Sequence, residues 1–218
     1  MSTEADTTRA RNRMVEVQIA KRGVKDERVL EAMRRVRRHE FVPPPRRHEA
    51  YDDNPLPIGF GQTISQPYIV AWMSELLRLR PEDTVLEVGA GCGYQTAVLA
   101  RLCRHVYALE RIPELCEIAR ENLRRAGAEN VSLVCADGHE GRPEHAPYAR
   151  ILVAAAAQGV PRALMEQLAP QGRLVIPLGS REGQEMTVVR RNPDGSFERD
   201  YVGSVAFVPL LGGDGTRA

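Results

Sequence analysis

The chain has 218 residues, of which 43% are apolar and 27% are charged, as in an ordinary globular protein with one large domain. Its 30 basic and 29 acidic residues leave a formal net charge of +1. This balance argues against a nucleic acid or an anionic membrane as the partner, and it favours a small molecule or a peptide.

The cysteines and the amino-terminal segment indicate a reduced environment. Cys92, Cys103, Cys116 and Cys135 lack the spacing of metal ligands, so we predict buried free thiols and no metal site. Residues 1–12 lack the apolar run of a signal peptide, and no stretch reaches the length of a membrane span. We expect a cytoplasmic, monomeric protein.

Residues 9–80 are predicted to form a helical region followed by a substrate loop, after a disordered lead over residues 1–8. Apolar residues at helical spacing predict a helix over residues 26–36, with Asp26 as its N-cap. Several arginines crowd the end of this helix or follow it, and they are interpreted as a solvated helix end, with recognition of an acidic peptide or RNA as the alternative: Arg34, Arg35, Arg37, Arg38, Arg46 and Arg47.

The segment 43–66 is rich in proline, glycine and acidic residues but also carries apolar side chains. We predict a long loop there, and loops of this length inside a compact domain tend to be functional. Helix is expected to resume at Pro67 and to stop near Pro81, with Trp72 in the core.

Apolar strands then alternate with helices, which predicts a parallel sheet covered on both faces. The expected fold is α/β and doubly wound (Rossmann-like), with the helical amino-terminal region added to it. A single domain would contain a cofactor-binding core over residues 81–180 and antiparallel strands over residues 181–218. Strands are predicted at residues 84–88, 105–109, 131–135, 150–155, 173–177, 185–190 and 197–211.

A glycine-rich turn follows the first of these core strands, with glycine at Gly89, Gly91 and Gly93. Such a turn lets the backbone approach a ligand at the carboxyl end of a strand, where open α/β sheets bind ligands. A dinucleotide fingerprint needs its third glycine one residue later, where Tyr94 stands. The spacing therefore favours a nucleoside site but weakens the case for NAD.

Two acidic residues end the next two strands. Glu110 is placed to accept hydrogen bonds from ribose hydroxyls, and Asp137 to accept one from an adenine amino group. The alternative for each acid alone is a helix cap. The glycine turn, Glu110 and Asp137 follow three successive strands, and this combination favours the nucleoside site.

The run from Glu87 to Gly93 resembles the first motif of class I S-adenosylmethionine-dependent methyltransferases. Its flanking segments, which span residues 14–211, resemble the protein-L-isoaspartate O-methyltransferase family. The most specific of them is Gly61-Gln62-Thr63-Ile64-Ser65-Gln66-Pro67, and the others include Phe41-Val42-Pro43 and Phe207-Val208-Pro209-Leu210.

The resemblance implies transfer of the methyl group of S-adenosylmethionine to the α-carboxylate of L-isoaspartyl residues in damaged proteins. It implies Ser65 as the residue that holds the substrate carboxylate, although Ser65 taken alone is typical of an N-cap. Gln62, Thr63 and Ile64 would shape the substrate pocket. The cofactor would be bound by Glu87, Val88, Gly89, Ala90, Gly91, Gly93, Glu110, Arg111, Asp137 and Gly138. For Glu87, a buried structural acid is the alternative to contact with the methionine amino group.

The chain departs from the family pattern at Ala149, Gln158 and Ala206. Ala206 stands where the family commonly has arginine, which leaves the substrate open. An enzyme retuned for one dedicated peptide or small-molecule carboxylate is therefore an alternative. A cofactor-binding module without transfer activity and a nucleic-acid methyltransferase are further alternatives, but the complete motif set and the near-neutral charge argue against them.

Overall fold

The computed structural model describes residues 4–180 and 182–212. Its strands are β1 (Leu56–Gly59), β2 (Gln62–Ile64), β3 (Thr84–Val88), β4 (His105–Glu110), β5 (Val131–Cys135), β6 (Tyr148–Val153), β7 (Leu168–Ser180), β8 (Gly183–Arg191) and β9 (Phe197–Val205). Its α-helices are α1 (Glu4–Arg13), α2 (Glu27–Arg35), α3 (Pro67–Leu77), α4 (Tyr94–Ala100), α5 (Pro113–Arg125) and α6 (Arg162–Glu166).

Seven strands form one sheet in the order β5-β4-β3-β6-β7-β8-β9. The first five are parallel, and β8 and β9 add to one edge as an antiparallel pair. Because neighbouring strand residues point to opposite faces, Val85 packs with the amino-terminal helices while Leu86 packs on the side of α6. The predicted fold class is confirmed.

The amino-terminal helices cover one face of the sheet. In α2, the backbone N–H of Arg28 donates to Asp26 Oδ1 over 2.9 Å, which confirms the predicted N-cap. The disordered lead over residues 1–8 is wrong for residues 4–8, which begin α1, while residues 1–3 lie outside the described residues. The ion pair between Glu4 and Arg37 (3.0 Å) ties this helix to the segment after α2.

Arg38 corrects the interpretation of the arginine run as a solvated helix end. Its side chain is fully buried, and it donates to the carbonyls of Ala50 (2.8 Å) and Asn54 (3.3 Å). The guanidinium carbon also lies 5.0 Å from the centre of the Tyr94 ring. One buried cation therefore fastens the segment after α2 to the core.

The segment 43–66 has regular structure, which corrects the predicted loop. A 3₁₀-helix spans Pro44–Glu49, and β1 pairs with β2 in an antiparallel hairpin around Phe60 and Gly61, both in the left-handed region. Leu56 and Ile58 point inward on β1. The strands were missed because they are only four and three residues long and Pro57 interrupts the pattern.

The antiparallel hairpin of β8 and β9 is confirmed, but β9 ends at Val205 rather than at residue 211. Beyond it the chain turns back towards the sheet. The N–H of Ala156 donates to the carbonyl of Val208 (2.8 Å), and the N–H of Leu210 donates to that of Ala156 (2.7 Å). These bonds place residues 208–211 over the carboxyl ends of the parallel strands.

Candidate active site

The glycine turn between β3 and α4 needs residues without side chains. Gly89, Gly91 and Gly93 have φ of 87°, 56° and 87°, in the left-handed region that favours glycine. A Cβ atom on Gly91 would lie 3.3 Å from Ile58 Cδ1, so the β1–β2 hairpin approaches the turn closely. The turn is held by N–H bonds from Gly89 (2.8 Å) and Ala90 (3.0 Å) to the carbonyl of Leu109.

Glu110 at the end of β4 is fixed against this turn. Its Oε2 accepts from the N–H of Gly91 over 2.8 Å, and its Oε1 accepts from the N–H of Ile112 over 2.9 Å. Each carboxylate oxygen can accept a further hydrogen bond. Because Glu110 also lines the adjoining cavity, it can receive two neighbouring hydroxyl groups there.

A cavity, here called the glycine pocket, opens between this turn and the chain above it. Its volume is about 90 Å³, below the ~300 Å³ at which small-molecule sites begin. Residues 208–211 and β2 form its roof. The predicted site residues that line it are Gln62, Thr63, Val88, Gly89, Gly91, Glu110, Arg111 and Gly138.

Four predicted cofactor residues do not line the glycine pocket: Glu87, Ala90, Gly93 and Asp137. Gly93 instead packs against α5, where an added Cβ would lie 3.1 Å from Leu123 Cγ. Asp137 caps a 3₁₀-helix, since its Oδ1 accepts from the N–H of His139 over 3.0 Å. This is the capping role that we gave as the alternative for this acid.

Glu87 lies fully buried on β3. Within the described residues, neither carboxylate oxygen has a hydrogen-bond partner. Burial raises the pKa of Glu87 to about 8, and the nearby charge of Glu110 adds to the rise. At neutral pH the group is therefore mainly a neutral acid, as the structural alternative requires.

The cysteine near the turn is shielded. Cys92 is buried, and burial raises the pKa of its thiol to about 11, which disfavours the reactive thiolate. Cys103 and Cys116 are also buried, whereas Cys135 is exposed, which corrects the prediction that all four thiols are buried.

A second cavity of about 540 Å³, here called the aromatic groove, runs between α3 and β9. Ser65, Tyr68 and Trp72 form part of one wall, and residues 202–208 form the other. Thr63, Ala154 and Val208 line both cavities. A molecule in the groove therefore lies next to a molecule in the glycine pocket.

Ser65 is half-buried in the groove wall. The N-cap of α3 is Gln66, and no side chain caps it, so the N-cap alternative for Ser65 is not what the structure has. In the described part of the chain, its hydroxyl makes no hydrogen bond and can therefore bind a ligand.

The other two residues predicted for the substrate pocket lie elsewhere. Ile64 is buried in the core and lines neither cavity, since successive β2 residues point to opposite sides and Thr63 takes the cavity side. Gln62 lines the glycine pocket instead of the groove.

The sequence did not indicate the aromatic and charged wall of the groove. The guanidinium of Arg22 lies 3.6 Å from the centre of the Tyr68 ring, which stacks on Trp72 at 6.0 Å. Asp53 joins this wall to the end of β2, because it accepts from Arg22 (2.5 Å) and from Gln66 Nε2 (2.6 Å). The signal available was the spacing of Tyr68 and Trp72, which are four residues apart on one helix face.

Residues 9–215 match the family model of protein-L-isoaspartate(D-aspartate) O-methyltransferase. The chain belongs to the protein-L-isoaspartate O-methyltransferase family. A member from Methanoregula boonei is 53% identical, with 97% of each chain covered. One from Methylorubrum extorquens is 56% identical, with 97% of this chain and 92% of the relative covered. The family resemblance drawn from the motifs is confirmed.

Solved structures of the isoaspartate methyltransferase family share this fold. One protein-L-isoaspartate O-methyltransferase superposes with a TM-score of 0.82 at 30% identity, covering 94% of this chain and 67% of its own. A Plasmodium falciparum protein assigned to the family was solved in complex with S-adenosyl-L-homocysteine. It has a TM-score of 0.79 at 25% identity, with 92% and 97% covered. Among the described residues of our chain, no helix is long and apolar enough to cross a membrane.

Proposed function

We propose that this member of the family transfers the methyl group of S-adenosylmethionine to the α-carboxylate of L-isoaspartyl residues in peptides and proteins. The observation that carries the proposal is the contact between the two cavities. Because Thr63, Ala154 and Val208 line both, a methyl donor in the glycine pocket lies beside an acceptor in the aromatic groove.

The residues of the glycine pocket suit S-adenosylmethionine. Glu110, fixed by two backbone N–H groups, would receive the ribose hydroxyls. Val88, Leu109 and Ile112 offer apolar surface to the adenine ring. Asp137 lies between the lining residues Ala136 and Gly138, and its Oδ2, which His139 does not use, would accept from the adenine amino group. Bound there, the cofactor supplies a methyl group that is already activated by its sulfonium charge.

The acceptor needs little chemical help, since a carboxylate is a nucleophile at neutral pH. The Ser65 hydroxyl would donate to one carboxylate oxygen and direct the other towards the methyl group, so the new C–O bond forms as the C–S bond breaks. An anion and a cation react to give two neutral products. The apolar surface of Trp72, Ala154 and Val208 therefore favours the reaction by keeping water away from the charges.

A dedicated substrate is a second candidate, favoured by the charge distribution of the aromatic groove. Ala206 lines the wall formed by the chain after β9, where it offers no charge. Arg22 is the one arginine among the described residues that line the groove, and it lies on the opposite wall beside Tyr68. This placement would favour a substrate that carries a negative group on the side facing Arg22.

The test incubates the purified protein with methyl-labelled S-adenosylmethionine and two peptides that differ only in L-isoaspartate or normal aspartate. We expect base-labile methyl ester on the isoaspartyl peptide alone. Label on neither peptide, with S-adenosylhomocysteine still bound, would overturn the general activity and favour a dedicated substrate.

A further inference from the structure

A row of three arginines crosses β6, β7 and β8 near the amino ends of the parallel strands. The candidate active site lies at the opposite, carboxyl ends of these strands. Arg150 on β6 pairs with Arg173 on β7, and Arg173 pairs with Arg190 on β8. Directly paired residues point to the same face, so the three guanidinium groups stand side by side. Like charges in this position are destabilising unless something compensates them.

These arginines line a cleft of about 350 Å³ that lies outside both cavities of the candidate active site. None of the described residues that line it is acidic. Its cationic residues are Arg78, Arg80, Arg150, Arg173, Arg190 and Arg191.

The surrounding acids compensate only part of this charge. Asp83 lies 3.4 Å from Arg150, while Glu198 (3.1 Å) and Asp200 (2.5 Å) both pair with Arg190. Six guanidinium groups thus face these three carboxylates, and Glu82 is a further acid that acts on Arg150, which still leaves an excess of positive charge.

Arg173 shows the effect of this excess. Burial and the nearby Arg78, Arg190 and Arg150 together lower the pKa of Arg173 to about 10, against a smaller opposing effect of Asp200. Its Nε donates to the carbonyl of Leu76 over 3.0 Å, so it also caps the end of α3. Within the described chain it forms no ion pair, so the partial negative charge of the helix end is the main balance to its positive charge.

Arg78 has a backbone conformation that favours glycine. It follows α3 with φ of 50°, at a position where helices commonly end in glycine. Its carbonyl accepts from Arg150 Nη2 over 3.1 Å, a role that any residue could fill. Arg78 is exposed, so what its side chain adds, compared with glycine, is a positive charge in the cleft.

We propose that this arginine cleft binds the di- or triphosphate group of a small anion, free or attached to a nucleoside. Guanidinium groups match phosphate oxygens with paired hydrogen bonds, and a pyrophosphate or triphosphate carries the charge that would balance the excess. The cleft is concave and within the size range of small-molecule sites. The cleft shares no lining residue with the other two cavities, so it is a separate site.

The test is isothermal titration of the full chain with inorganic triphosphate in a buffer free of phosphate and sulfate. We expect one binding site. Arg78→Gly and Arg80→Gln should each weaken binding by about tenfold, the loss expected for one charged hydrogen-bonding contact. Arg78→Gly should fold at least as stably as wild type because glycine relieves the left-handed backbone.

Arg101→Gln is the matched control, because Arg101 is exposed and lies outside the arginine cleft. It should bind triphosphate as wild type does. A parallel titration with UTP distinguishes the source: tighter binding than triphosphate indicates a nucleotide, and equal binding indicates the phosphates alone. No binding to wild type, or equal weakening by all three substitutions, would overturn the proposal.

Discussion

Ser65 contributes a hydroxyl to the aromatic groove without using it to stabilise the described structure. We therefore expect Ser65→Ala to lower kcat/KM for an isoaspartyl peptide by roughly 10- to 100-fold, since a hydrogen bond to a charged group is worth about 1.5–3 kcal/mol. Binding of S-adenosylhomocysteine and the melting temperature should stay near wild type. Steady-state kinetics and calorimetry measure these three quantities.

The matched control for this substitution is Ser204→Ala. Ser204 is an exposed serine of the same groove, on β9 and outside the lining of the glycine pocket. Its loss should change kcat/KM by less than about threefold, because an exposed hydroxyl contributes little. If both variants lose activity equally, the effect belongs to the groove surface and the role of Ser65 is wrong.

Glu87 predicts a pH dependence of stability. Its pKa rises from an ordinary 4.5 to about 8 in the folded protein, so the folded state holds a proton that the unfolded state releases between these values. The stabilisation that comes from protonated Glu87 is fully present below pH 4.5 and is lost as the pH rises through 8. Glu87→Gln keeps the neutral shape, and we expect it to unfold with a free energy on the order of 4 kcal/mol higher than wild type at pH 9.

Urea unfolding of both proteins at pH 5, 7 and 9 measures this difference. The two free energies of unfolding should be close at pH 5 and should separate as the pH rises. Glu110→Gln serves as a control for the neighbouring charge, since Glu110 contributes to the raised pKa of Glu87. Parallel curves for wild type and Glu87→Gln would contradict the prediction.

Among the elements, residues 208–211 connect stability to ligand binding because they form the roof of the glycine pocket. Leu210 is buried in the core cluster beneath α6 and also lines this pocket. We expect Leu210→Ala to lower the free energy of unfolding by about 2 kcal/mol and to weaken S-adenosylhomocysteine binding roughly fivefold through lost apolar contact. Denaturant unfolding and calorimetric titration measure the two effects.

Leu164→Ala on α6 separates these effects. Leu164 is fully buried in the same core cluster but does not line the pocket. It should cost as much stability as Leu210→Ala, or more, and leave the affinity within about twofold. Equal losses of affinity would mean that general stability, rather than the roof, controls binding.

The sequence predicted the elements whose hydrophobic pattern is long and uninterrupted. The bounds of β3 and β5 agree with the prediction, and the antiparallel hairpin follows the turn signal of Asn192-Pro193-Asp194-Gly195 between its strands. The β1–β2 hairpin was missed because its strands are short and contain Pro57. Arg38 was misread because its partners are carbonyls 12 and 16 residues later, which no local pattern reveals.

At the scale of the whole molecule, chain order predicted the glycine pocket but not the aromatic groove. Parallel strands bring Gly89 and Glu110 to one sheet edge, so the topology alone places them together. The groove combines α3, β9 and Arg22, which meet only through tertiary packing. The roof likewise required the chain after β9 to fold back, which the apolar run over residues 197–211 did not distinguish from a longer strand.

The two nucleoside interpretations of the glycine turn predict different thermal stabilities. A ligand that binds only the folded state at 100 times its Kd stabilises it by about 2.7 kcal/mol, which for a chain of this size raises the melting temperature by roughly 5–10 °C. We expect this shift with S-adenosylhomocysteine, because Glu110 holds the ribose site next to Gly91. NAD at the same concentration should give none, because the third glycine of the dinucleotide fingerprint falls one residue early. A shift with NAD equal to that with S-adenosylhomocysteine would show that the glycine pocket does not select the nucleoside that we assign to it.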